Sequence, residues 1–150
     1  MHLLDRFPNS ELGAFNTSPE RKLCEEYYKT KQQRLDKTGS VAQYISIRMD
    51  ENGELVPCFA PESMDKIKSI YSEQNELLRR EQFLLGKIDR ISEAFPDIDV
   101  RELYRQRQAL LDKIKGLQLF PVELEEARQK YTSLEGQIAE YTAILNEQYS

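Results

Sequence analysis

Few side chains in this chain have types and spacings that could do chemistry. His2 is the single imidazole and stands beside the first residue, where order is hardest to maintain. No Ser–His or Cys–His nucleophile pair is expected around so peripheral a base. Cys24 and Cys58 are 34 positions apart, and neither has a second Cys or a His nearby. They read as two reduced thiols in or near a core rather than as a metal site or a disulfide.

Carboxylates are plentiful, and Glu123/Glu126 or Asp97/Asp99 have the spacing to approach a cation. Neither pair lies in an Asp-x-Asp-x-Asp-Gly loop, and no helix-borne Glu-x-x-His motif accompanies them. Asp97 and Asp99 are better explained as a helix cap. The glycines fall singly at 13, 39, 53, 86, 116 and 136, so no loop is built to cradle phosphate. The expectation is a non-enzyme with no cofactor, no metal and no small-molecule substrate.

Two stretches are basic. Residues 19–37 carry Arg21, Lys22, Lys29 and Arg34 with Tyr27 and Tyr28 alongside, and residues 99–118 carry Arg101, Arg105 and Lys113. Arg and Tyr interleaved on a helix can hold phosphates and stack bases, so nucleic acid is the alternative partner. Against this, residues 121–150 carry six acids and two bases, and acidic flanks beside basic ones are the usual dressing of paired helices. The chain has 26 acidic and 21 basic residues, a net charge of −5, which argues against wholesale wrapping of nucleic acid.

The elements that must position these residues are mainly helical. In 150 residues, 39% hydrophobic and 31% charged, with six Gly and six Pro, there is material for one domain or a small domain with a helical extension. The start Met1-His2-Leu3-Leu4-Asp5-Arg6 lacks the cationic and apolar regions of a secretory signal. No apolar run approaches the ~20 residues that cross a bilayer, so no membrane partner is expected and the cytoplasm is the expected compartment.

Residues 1–18 read as an arm anchored by Leu3, Leu4, Phe7, Leu12 and Phe15. Ser18-Pro19 predicts a helix start, with Ser as the cap and Pro in the first turn, and Thr38-Gly39 predicts its end. Ile45, Ile47 and Met49 alternate with polar residues, Asn52-Gly53 marks a turn, and Leu55–Phe59 returns as an edge strand containing Pro57. The Ile45/Ile47/Met49 face of this hairpin is expected to lie on a helix or a partner, because two strands alone are barely stable.

Beyond Pro61 three helical segments share a seam spaced by threes and fours. Segment A runs from Ile67 to Phe95, B from Val100 to Leu117, and C from Leu124 to Gln148. Pro96 and Pro121 divide them. The predicted fold class is therefore mostly α: an antiparallel helical hairpin or three-helix, coiled-coil-like bundle at 61–150, with a small N-terminal head of arm, helix and β-hairpin at 1–60.

The polar residues Glu81 and Arg107 interrupt the seams and could meet across an A–B hairpin, fixing register. Segment A is longer than B, which leaves seam residues uncovered. Ile67, Ile70, Leu77, Leu84, Ile138, Tyr141 and Leu145 are the expected surface for a homodimer or another protein partner. The chain thus reads as a non-enzymatic adaptor or scaffold, an accessory protein that acts through helix packing.

Overall fold

A computed structural model describes residues 1–11 and 18–150. Leu12 and Phe15, two of the expected anchors of the arm, lie outside the described residues. Among those described, the chain is mostly helical, with one two-stranded antiparallel sheet. The helices are α1 (Leu3–Arg6), α2 (Pro19–Ser40), α3 (Met64–Ala94), α4 (Val100–Gly116) and α5 (Pro121–Asn146). The strands are β1 (Ser46–Met49) and β2 (Leu55–Cys58). None of these helices is long and apolar enough to cross a membrane. Contacts divide the chain into two compact units, residues 1–25 with 86–150, and residues 26–85. The expected head (1–60) and bundle (61–150) each contribute to both.

The first unit contains the larger core. Segment B starts where its sequence predicts: Asp99 is extended, and its carboxylate accepts the Glu102 N–H at 2.8 Å. Asp97 has no part in that cap. It sits in the left-handed region at φ 62, inside the turn that Pro96 forces between α3 and α4. Ser18 accepts the Arg21 N–H at 3.3 Å and so starts α2 as its type predicts.

The N-terminal arm is built in. His2 Nδ1 accepts the Leu4 N–H at 3.2 Å, which starts α1, and Nε2 lies 2.7 Å from Asp89. The peripheral, disordered imidazole expected from sequence is instead a helix cap. Leu3 is buried, and its N–H donates to Ser92 Oγ at 2.8 Å. At the far end of α5, the buried Lys87 donates to the carbonyls of Leu145 and Glu147, at 2.8 and 3.0 Å. A cation there satisfies the orphan carbonyls and the negative end of the helix dipole together.

Helices α4 and α5 run back along each other from the turn at 117–120, with Arg107 paired to Glu135 at 3.2 Å.

The second unit holds residues 26–40 of α2, the sheet, and residues 64–85 of α3. Here α2 outruns its predicted end. Gly39 is helical, although glycine costs about 1 kcal/mol inside a helix, and a 3-10 turn carries the chain on from Val41 to Tyr44. The sheet pairs Ile47 with Pro57 and Met49 with Leu55. Its turn is tightened by Asp50, whose carboxylate accepts the N–H groups of Asn52 and Glu54, both at 2.9 Å. Only Gly53 needs positive φ (78); Asn52 does not, so Asp50 and Gly53 shape the turn rather than an Asn-Gly pair.

Ile47, Met49 and Leu55 share one face of the sheet, and all three are exposed. Of the two covers expected for that face, a helix or a partner, no helix supplies one among the described residues.

Candidate functional site

The most strongly perturbed groups lie together in the first unit. Glu20, fully buried in the first turn of α2, points one oxygen at two donors. The Val100 N–H reaches that oxygen at 2.8 Å, and the Tyr141 hydroxyl at 2.7 Å. The Tyr141 ring stacks at an angle on Phe95, with centroids 4.5 Å apart. Burial, and then the hydrogen bond to Glu20, push the Tyr141 hydroxyl well above the usual phenol range. Burial likewise pushes the neighbouring Cys24 thiol up to about 12, with the nearby Arg6 charge only partly offsetting it.

Both groups therefore stay protonated near neutral pH, so neither is primed as a nucleophile. Glu20 Oε2 is buried with no hydrogen-bond partner among the described residues. Chemically this arrangement is a clasp. One carboxylate ties the start of α2 to the start of α4 and to the body of α5.

Sequence reasoning misses Glu20, because a glutamate in a helix's first turn reads as an exposed dipole partner. It assigns Tyr141 and Ile138 to a helical seam and expects them to be uncovered. Tyr141, Ile138 and also Leu84 are buried by their own chain and present no surface. Leu145 is half-buried.

Glu81 and Arg107, expected as a pair, each have a partner within their own unit. In the second unit Glu81 takes Arg34, whose guanidinium reaches both carboxylate oxygens; in the first, Arg107 takes Glu135. Each seam interruption is satisfied by the nearest facing helix. The bond to Glu81 holds the Arg34 proton more tightly than usual.

The basic residues disperse in the same way. Arg21 is buried and lies 3.5 Å from Glu25, Arg34 is taken by Glu81, and Arg105 lies 3.1 Å from Glu102. Lys22, Lys29, Arg101 and Lys113 are exposed. Cys58 is half-buried, and no disulfide joins it to Cys24. Among the described residues, no group of three or more His, Cys, Asp or Glu side chains could hold a metal ion.

What the molecule does present is uncovered apolar surface. In the second unit, Ile67, Ile70 and Leu77 are half-buried along α3, and Ile70 lines a groove of about 270 Å³ with Val41, Tyr71 and Gln74. In the first unit, burial fades along α4. Leu103 is closed off, while Leu110, Leu111, Ile114 and Leu117 are half-buried. At the turn Leu119 is 88% exposed and Phe120 54%, and just beyond it Val122, in the first turn of α5, is 68% exposed.

Beside that turn, a groove of about 500 Å³ runs between α4 and α5. Ala109, Leu110 and Leu134 line it together with Lys113 and Lys130. No protein-family model, curated protein or solved structure matches the chain.

The turn is the functional candidate that sequence reasoning passes over. Its signal was present: Leu117, Leu119 and Phe120 crowd a connection that ordinarily takes polar residues, and Val122 follows in the first turn of α5. Among the described residues these side chains stand largely in solvent, the kind of apolar surface that another molecule can cover.

Proposed function

We propose that this chain is a non-enzymatic interaction protein, a helical scaffold or adaptor that self-associates through apolar surface its own helices leave uncovered. The observation that carries this reading is the apolar end of the α4–α5 pair, where Leu119, Phe120 and Val122 stand in solvent. The exposed Ile47/Met49/Leu55 face of the sheet and the half-covered Ile67, Ile70 and Leu77 add to it. An apolar stripe on a helix gains stability only when something covers it. The buried, protonated state of Cys24 and Tyr141 fits a structural role for the groups that might otherwise suggest catalysis.

Nucleic-acid binding is the weaker reading, since Arg21, Arg34 and Arg105 are already engaged within the fold or beside an acid. Sedimentation of the full chain tests the proposal. A mass above 17.6 kDa that rises with concentration is expected. A monomer throughout the range from about 1 µM to 1 mM, which spans moderate to very weak association, would defeat the self-association reading.

A further inference from the structure

We infer that two copies of the chain pair antiparallel through the α4–α5 ends, each inserting its Leu119-Phe120 turn into the other's α4–α5 groove. This rests on the self-association reading and names its surface.

Two features on the same helix pair fit each other. The turn is a firm projection. Phe120 N–H donates to the Leu117 carbonyl at 2.9 Å, and Leu124 N–H donates to the Phe120 carbonyl at 2.8 Å. A turn held in this way loses little freedom on docking. The groove is the matching recess, with Ala109, Leu110 and Leu134 for contact.

Charge chooses the occupant. Lys113 from α4 and Lys130 from α5 both line the groove, and neither has an ion pair among the described residues. Two like charges bordering an apolar recess call for an acidic, apolar visitor. The chain carries one: directly after the apolar turn come Glu123 and Glu126, both exposed and also without an ion pair among the described residues. The helix pair thus bears an apolar knob with acids behind it and an apolar hole with lysines around it.

The register closes. Arg107 lies opposite Glu135, and the groove places Lys113 and Lys130 together one to two turns nearer the connection. A two-fold axis lying outside the pair, at right angles to the helices and level with Ile114 and Lys115 on α4, is also about level with Arg128 and Gln129 on α5. That axis sets Phe120 of one copy level with Ala109 of the other, and Glu126 level with Asp112, beside Lys113. Both turns then occupy both grooves at once, which is the self-complementary, closed arrangement of a two-fold dimer. The half-buried Leu110, Ile114 and Leu117 are covered in the same step.

The test uses the full chain. In a Cys58→Ser background, Phe120→Cys with Ala109→Cys should form a covalent dimer on mild oxidation. Within one chain these positions are separated by roughly 10 Å or more of helix, beyond the ~7 Å limit for a disulfide. Phe120→Asp should reduce the sedimenting mass to 17.6 kDa with helical content unchanged. Lys113→Glu should weaken the dimer roughly tenfold, and adding Glu126→Lys should restore it by reversing the pair.

If the wild-type chain is a dimer that Phe120→Asp leaves intact and the cysteine pair does not cross-link, the turn-in-groove arrangement is wrong while self-association stands. A wild-type chain that is monomeric throughout overturns both.

Discussion

The two ends of the α4–α5 pair are made of the same helices and behave as different materials. At the Val100 end, the first turn of α2, the last turns of α3 and the N-terminal arm supply further layers. Leu103, Ile138 and Tyr141 are enclosed there, and even a carboxylate is taken inside. At the Phe120 end, among the described residues, the two helices leave Leu110, Ile114 and Leu117 half-buried and Leu119 and Phe120 exposed, so their stripes are not fully covered. The contrast shows that the apolar pattern alone does not decide burial; the number of layers arriving at each turn does. It also separates an enclosed end from an uncovered one on a single pair of helices.

Replacing Tyr141 by Ala should have the largest effect, about 3–5 kcal/mol of lost stability, because it opens a cavity and strips a donor from a buried carboxylate. Chemical denaturation of chain dilute enough to be monomeric should report this as an early midpoint, whereas Ile114→Ala at the other end should cost about 1 kcal/mol or less.

Alkaline pH should act next, and chiefly through the enclosed end. The Cys24 thiol titrates near 12 in the folded chain against an ordinary 9, and Tyr141 is raised in the same direction. The folded state therefore holds protons that the unfolded state has released. That contribution is complete below about pH 9 and is lost as pH rises toward 12, on the order of a few kcal/mol. Melting curves should fall across that window, and Cys24→Ala should flatten part of the slope.

Tyr141→Phe keeps the ring on Phe95 and removes only the donor to Glu20, so it should cost about 1–3 kcal/mol. The smallest effect belongs to the open end. In chain dilute enough to be monomeric, Leu119→Ser should leave stability within about 0.5 kcal/mol. A large loss there would mean that the turn packs on its own chain, and the contrast between the ends would fail.

Local chemistry made much of the fold legible. Ser18, Asp99, Pro96 and Pro121 mark helix limits because capping oxygens and missing N–H groups act within one turn of themselves. Gly53 marks the hairpin for the same reason. Gly39 misleads, since continuing the helix through Ser40 overrides a small local preference.

Partner choice is another matter. Glu81 and Arg107 occupy seam positions that sequence identifies, yet which charge meets which depends on the facing helix, and that is a property of three dimensions. Glu20 is hidden for the same reason, because nothing local distinguishes a buried first-turn glutamate from an exposed one. The Leu119-Phe120 turn was readable in composition but loses its meaning until the structure shows it uncovered.

The most direct measurement of the central claim is amide hydrogen exchange followed at rising chain concentration. Amides of residues 106–137 should gain protection as concentration increases, most strongly around Leu110, Ile114 and Leu134, while Ser46–Met49 of β1 and the enclosed Val100–Leu103 stay as they were. Protection along 106–137 that does not change with concentration, in a chain whose sedimenting mass does rise, would contradict the assignment of this end as the contact between copies.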